Sequence, residues 1–553
     1  MTMRGTCRIA VTFAALAVIA SACSSSGTGH PSSGIKGSAS PTADEVGGDP
    51  LTIRTADGPV HGQDVGKVRD FLGIPYAAPP VGNLRWEPPQ PPATWSAVRS
   101  ATSPGSECTQ IVPVINAAVG NEDCLYANVF SPTSPTVHPR PVMVWIYGGG
   151  FTVGSGMDDN PSRLVADSGV VAVTFNYRLG PFGFLGSSAL AASDTSHSTG
   201  NFGLQDQQAA LKWVQSNAAA FGGDAQNVTI FGESAGGMSV CDQLLMPGAA
   251  GLFSKGITES GPCTLPSISL AAADSQSQKF AGKLGCPGAQ GVVACLRTKS
   301  ANQVVEALPP DPTFVFGAGG NWGPVADGVV LPTDPVAAIE AGKFDHVPLI
   351  VGANRDEGRL FVALAYNVAG SNLTASSWAS TVDGYFGPVV GAAVQREYPL
   401  ADYPDAGAAF GQAIGDALLA CPSVQSASVL SRYVPVYEYE YDQTQNVFVL
   451  PSPGITLGAF HSSELPYVFD GPVESSGLLT FTAAQQHLAT TMSSAWTRFA
   501  ATGDPAGSGL NWPRLGQSGS YLSFNIPVAV DSGMKSGVCA FWSSSGWSVN
   551  DAP

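Results

Sequence analysis

Basic residues are scarce in this chain: 25 Lys and Arg stand against 42 Asp and Glu, a formal net charge of -17 over 553 residues. A surface so acidic repels polyanions, which argues against nucleic acid as a partner and against a peripheral hold on anionic lipid headgroups. Charge of either sign is sparse as well, at 12% of residues against 44% apolar, so the chain can bury a large core. Internal repeats are missing, which excludes solenoid and propeller architectures. Histidine is also rare, with seven residues in all, and this narrows any search for a catalytic base.

A run long enough to cross a bilayer comfortably is lacking at the N-terminus, where Ile9 to Ala22 follow Arg4 and Arg8. Residues 1–22 therefore read as an export signal that is removed. The segment ends "IASAC", and Cys23 after three small residues resembles a bacterial lipobox. Cys23 is expected to carry lipid, and membrane contact is expected only through that anchor; an ordinary secretory signal is the alternative. Residues 23–50 are rich in Ser, Gly and Pro without periodicity and read as a flexible tether. No second linker follows, so residues 51–553 are expected to form one catalytic domain. Of ten cysteines, eight lie beyond Cys23, enough for four disulfides in an oxidising compartment. Counting alone leaves their pairing open.

Short β-rich runs recur: "VMVWIY" before Gly148, "GVVAVTFNY" before Arg178, "NVTIF" before Gly232, "VPLIVG" before Ala353, and the alternating "YVPVYEYEY". Helical stripes lie between and after them, one through Leu204, Leu211, Val214 and Ala218, another through Leu488, Met492, Ala495, Trp496 and Phe499 up to Gly503. Strands separated by helices imply an α/β layered sheet with long loops over the carboxyl ends of its strands.

"NVTIFGESAGGMSVCDQLLM" places Ser234 between a strand and a helix, with Gly232 and Gly236 two residues to either side. This is the context of a nucleophile elbow, where small residues let the turn tighten. A serine hydroxyl needs a base to take its proton and donors to hold the oxyanion that forms. Backbone donors are available at Ala235 and in the Gly148, Gly149, Gly150 run beyond "VMVWIY". In the chain order serine, acid, histidine, only His346, His461 and His487 follow Ser234. His346 begins a strand and His487 lies on an amphipathic helix, so His461, among small residues in "LGAFHSSELPYVF", is the favoured base. Asp356 and Glu357, at the end of "VPLIVGANRDEG", are both placed to orient it.

Together "RTADGPVHG", "FLGIPYAAPPVGNLRW", "NEDCLYANVF", "WIYGGGF", "NYRLGPFGFL", "NFGLQDQQAALKWVQSNAAAFGGD", "IFGESAGG", "VGANRDEG" and "FHSSELPYVF" resemble, in the same order, the type B carboxylesterases, a family that includes cholinesterases and bacterial para-nitrobenzyl esterase-like enzymes. The likeness runs from Leu51 to about Trp542. It implies an α/β-hydrolase fold and a carboxylic ester hydrolase that works without metal or organic cofactor; with the N-terminal signal, the expectation is an exported esterase. It implies Ser234 as nucleophile, His461 as base and Glu357 as acid, with oxyanion donors at Gly149, Gly150 and Ala235. Glu233 would tune the electrostatics, Ser260 would supply a hydroxyl near the acid, and Arg178 with Asp206 would form a buried ion pair. The resemblance also pairs Cys108 with Cys124, Cys286 with Cys295 and Cys421 with Cys539, which leaves Cys241 and Cys263 as a fourth bridge.

Two departures stand out. The loop between Cys108 and Cys124 has no tryptophan to stack on a quaternary ammonium, which argues against a choline ester specialist. Ala127 replaces a leucine common in the family, a local repacking. The competing expectations are a lipase for long acyl chains and a non-catalytic binding protein, a use to which relatives lacking the serine have put this fold. Nothing in the sequence sets an oligomeric state.

Overall fold

The computed structural model describes residues 49–112, 117–286, 291–309, 322–368, 372–444, 454–471, 480–507 and 509–549. Residues 1–48, which hold the expected export signal, Cys23 and nearly all of the expected tether, lie outside them. An eleven-stranded sheet runs through the chain. Its strands are β1 (Gln63–Val65), β2 (Val68–Pro75), β3 (Tyr126–Pro132), β4 (Arg140–Ile146), β5 (Val171–Phe175), β6 (Gly223–Glu233), β7 (Lys255–Glu259), β8 (Leu349–Asn354), β9 (Val436–Tyr441), β10 (Ser520–Phe524) and β11 (Ala529–Ser532). In space they follow the order β11-β10-β9-β8-β7-β6-β4-β5-β3-β2-β1. The block from β10 to β5 is parallel, and antiparallel strands close both edges.

Every residue of β7, β8 and β9 is buried, as expected where helices cover both faces of a parallel sheet. The alternation in "VYEYEY" thus does not mark a solvated face. Glu438 and Glu440 lie inside with the tyrosines, and burial pushes their carboxyls up to about 8 and about 7. Lys535, 4.0 Å from Glu440, opposes that rise.

The long helices flanking the sheet use the apolar stripes of the sequence. Helix α1 (Phe202–Asn217) buries Leu204, Leu211 and Val214 and packs on β5 and β6. Helix α2 (Ala235–Leu245) packs on β4, β6 and β7. Helix α3 (Ala483–Thr502) starts at a capping box of Thr482 and Gln485 and ends where Gly503 turns left-handed; it packs on β4 and β6. Residues Ala406–Leu430 form a helical stretch long and apolar enough to cross a membrane, but 72% of its most apolar window is buried within the protein, the signature of a core helix. Disulfides join Cys108 to Cys124, Cys241 to Cys263, Cys286 to Cys295 and Cys421 to Cys539. A parallel sheet with antiparallel edges, helices on both faces and a sharp strand-to-helix turn after β6 constitute the α/β-hydrolase fold.

Candidate active site

Ser234 occupies the single residue between β6 and α2, with φ 57° and ψ -126°. This region of conformational space costs an L-residue on the order of 1–3 kcal/mol, so the surroundings must hold it. They do so from three sides. The Ser234 N–H donates to the carbonyl of Glu259 on β7 at 2.8 Å, and its own carbonyl accepts from Met238 N at 2.9 Å. A Cβ at Gly236 would overlap the carbonyl of Ile146, so the helix can start this close to β4 only with glycine there.

The glycine run after β4 passes directly over the serine: a Cβ on Gly148 would sit 3.0 Å from the Cβ of Ser234. Gly149 and Gly150 have φ of 92° and 60°, and the Gly149 carbonyl accepts from Thr152 N and Val153 N at 3.0 and 3.1 Å. Ala235 is the first residue of α2, where backbone N–H groups have no intrahelical acceptor.

The turn after β8 separates the two candidate acids. Glu357 is fully buried, with Oε2 2.6 Å from Nδ1 of His461, while Oε1 accepts from Asn354 N at 2.7 Å. Asp356 faces elsewhere. Its carboxylate meets Arg355 at 2.9 Å, Arg359 at 2.8 Å and the Ala459 N–H at 2.8 Å. His461 itself is 3% exposed. Burial opposes charge on its ring, but Glu233 and then Glu357 outweigh that and hold its pKa well above the ordinary imidazole value.

On the other side of the ring, Nε2 lies 3.0 Å from Oε1 of Glu233 but out of line for a hydrogen bond, and it makes none among the described residues. That same Oε1 accepts from the Ser462 hydroxyl at 2.7 Å. The ring of Phe361 packs 4.9 Å from the imidazole. His346 and His487 are exposed; His346 sits against Phe344 and Tyr433.

Three further carboxyls gather around this pair. Burial, and then neighbouring acids, push Asp159 and Glu259 each up to about 8 and Glu464 well above the usual carboxylate range. Trp496 Nε1 donates to Glu259 Oε1 at 3.0 Å, and the Asn354 side chain donates to both Glu464 and the Phe460 carbonyl. Reading the sequence missed Asn354, Glu464 and Ser462; the third residue after His461 in "HSSE" was the available signal for Glu464. Ser260 is buried with φ 50°, its N–H donating to the Gly352 carbonyl at 2.9 Å. Its hydroxyl has no partner among the described residues, so no hydrogen bond links it to Glu357. Among the described residues no group of three or more His, Cys, Asp or Glu converges as a metal site.

Beneath the glycine turn Arg178 and Asp206 form a bidentate pair, both contacts 2.7 Å, with Asp206 also accepting from Arg178 N at 3.1 Å. The pair is almost wholly buried; burial raises the Asp206 carboxyl and Arg178 opposes the rise.

Comparison with known proteins agrees with this architecture. The para-nitrobenzyl esterase of Bacillus subtilis is 39% identical over 478 residues, covering 83% of this chain and 92% of its own length. The cocaine esterase of Homo sapiens is 34% identical, covering 87% and 88%. The fumonisin B1 esterase of Sphingopyxis macrogoltabida is 35% identical, covering 88% of each. A solved PNB esterase structure superposes with a TM-score of 0.73 at 34% identity, across 89% of this chain and 100% of that one. Residues 49–542 match the model of the carboxylesterase family. The chain belongs to the carboxylesterase family and is a carboxylic ester hydrolase.

Proposed function

We propose that hydrolysis runs through an acyl-enzyme on Ser234, with His461 as base and Glu357 as the acid that orients it. The observation that carries this reading is the buried His461–Glu357 contact of 2.6 Å, set beside Glu233, the residue before the serine. Ser234 Oγ attacks the ester carbonyl carbon as its proton passes to Nε2 of His461, after a small movement of the kind that apo sites commonly make. The oxyanion is held by the N–H groups of Gly149, Gly150 and Ala235, donors of a type worth about 3–4 kcal/mol each when removed singly. The C–O bond to the alcohol then breaks as the imidazolium returns its proton to the leaving oxygen. Water repeats the sequence on the acyl-enzyme and frees the acid.

Residues 51–553 act as one catalytic domain in this reading, and four disulfides fit an exported protein tethered through lipid at Cys23. Metabolic labelling with a radioactive fatty acid tests the anchor: label lost in Cys23→Ser supports it, and an unlabelled parent removes it. The catalytic reading is tested with p-nitrophenyl esters from acetate to palmitate, on the domain from Leu51 and its Ser234→Ala variant. Turnover on short chains that disappears with the hydroxyl supports the esterase. A preference for palmitate would make it a lipase, and a folded parent inert on every ester would leave a binding protein.

A further inference from the structure

Ser462 is a buried L-residue in the left-handed region, φ 67°, immediately after His461. Glycine would take that backbone without strain, so a serine here asks what its side chain does. Its hydroxyl donates to Glu233 Oε1 at 2.7 Å, across 229 positions of sequence, and that oxygen also lies 3.0 Å from His461 Nε2. Two donors thus converge on one carboxylate oxygen, and only the hydroxyl is aligned to bond it.

We propose that Ser462 is a positioning residue that holds the Glu233 carboxylate off line from the imidazole and so keeps Nε2 of His461 available to Ser234. The inference rests on His461 being the base. A carboxylate free to turn would align with the protonated ring in a charge-assisted hydrogen bond, roughly twice as strong as a neutral one. The base would then be trapped as imidazolium and could not accept the serine proton. The groups facing this site from packed elements are Glu357 after β8, Glu464 on the His461 loop, Glu259 on β7 and Asp159 beyond the glycine turn. Burial and the neighbouring acids work against charge on Glu259, Asp159 and Glu464, and none of the three bonds the imidazole among the described residues. Glu357 holds the opposite nitrogen, Nδ1.

The test is the pH dependence of kcat/KM for p-nitrophenyl acetate in Ser462→Gly, which removes the hydroxyl while easing the backbone, with Ser462→Ala as a second variant. The acid limb should move to higher pH by about half a unit or more, with kcat lower by roughly 3- to 10-fold and KM within about twofold. Placed in a Glu233→Gln background, which has no negative charge to capture the ring, the same substitution should leave the limb where it is. Superimposable acid limbs in both variants, or an equal shift in the Glu233→Gln background, would overturn the proposal. Turnover that survives Ser234→Ala would instead overturn the catalytic reading beneath it.

Discussion

Two adjacent carboxyls, Asp356 and Glu357, should fail in opposite ways when each is made an amide. In Glu357→Gln the side chain keeps its shape and still accepts from Asn354 N, but the partner of His461 Nδ1 at 2.6 Å loses its charge. The imidazolium that forms during the reaction is then unsupported and its tautomer no longer dictated. A loss of about 10⁴-fold in kcat is expected, about 5 kcal/mol of transition-state stabilisation, with little change in stability.

In Asp356→Asn the contact to Arg359 at 2.8 Å loses its charge, with both side chains nearly buried at 1% and 11% exposure. Breaking such a pair costs about 3–5 kcal/mol; the Asn oxygen still accepts one hydrogen bond, which favours the low end. Arg355 is 38% exposed and screened, so its share adds about 1 kcal/mol at most. At about 2.1 cal/mol/K per residue, a folded body of this size has an unfolding entropy of about 1 kcal/mol/K, so Tm should fall by about 3 °C. Steady-state kinetics on p-nitrophenyl acetate and thermal unfolding followed by circular dichroism read the two effects separately. The assignment is refuted if folded Asp356→Asn loses kcat as Glu357→Gln does, or if Glu357→Gln keeps more than about a tenth of its rate.

The pH dependence has a defined sign. Glu233 and Glu357 raise the His461 pKa, and the protonated ring cannot act as base, so kcat/KM should fall with decreasing pH along a limb centred above the ordinary imidazole value. A limb centred near pH 4–5 would count against His461. Arg178→Met should leave Asp206 buried and unpaired and cost about 3–5 kcal/mol in urea unfolding, and a variant as stable as the parent would show that the pair carries no such weight. Replacing Cys421 and Cys539 by serine opens a loop spanning 118 residues, which chain entropy values at about 5 kcal/mol; unchanged stability would mean that the unfolded chain is compact without the bridge.

Features that depend on nearby backbone were legible in the sequence. The apolar runs mark strands because β-branched and aromatic residues suit a pleated layer, and Gly236 marks the elbow because a Cβ there would strike the Ile146 carbonyl. The glycine run after β4 was visible for a related reason: its turn uses the positive φ of Gly149 and Gly150. Gly503 likewise announced the end of α3, and the capping box of Thr482 and Gln485 that starts it, unread in the sequence, is chemistry of the same local kind.

Other features rest on where side chains point after the sheet has closed. Spacing placed Asp356 and Glu357 equally well at the end of β8; Arg359 and the Ala459 N–H turn one aside, and the His461 loop meets the other. The glutamates of β9 look like a wet strand face until helices cover it, and the Ser462 contact with Glu233 joins residues far apart in the chain. The sequence by itself determined the α/β order, the elbow and its backbone donors, because each is set by local sterics and hydrophobic pattern. Spacing left Asp356 and Glu357 equal and only a family resemblance chose between them; the tertiary structure alone supplies the contact that separates them and the burial that raises the carboxyls around His461, because direction and desolvation belong to packed surroundings that no local stretch of chain encodes.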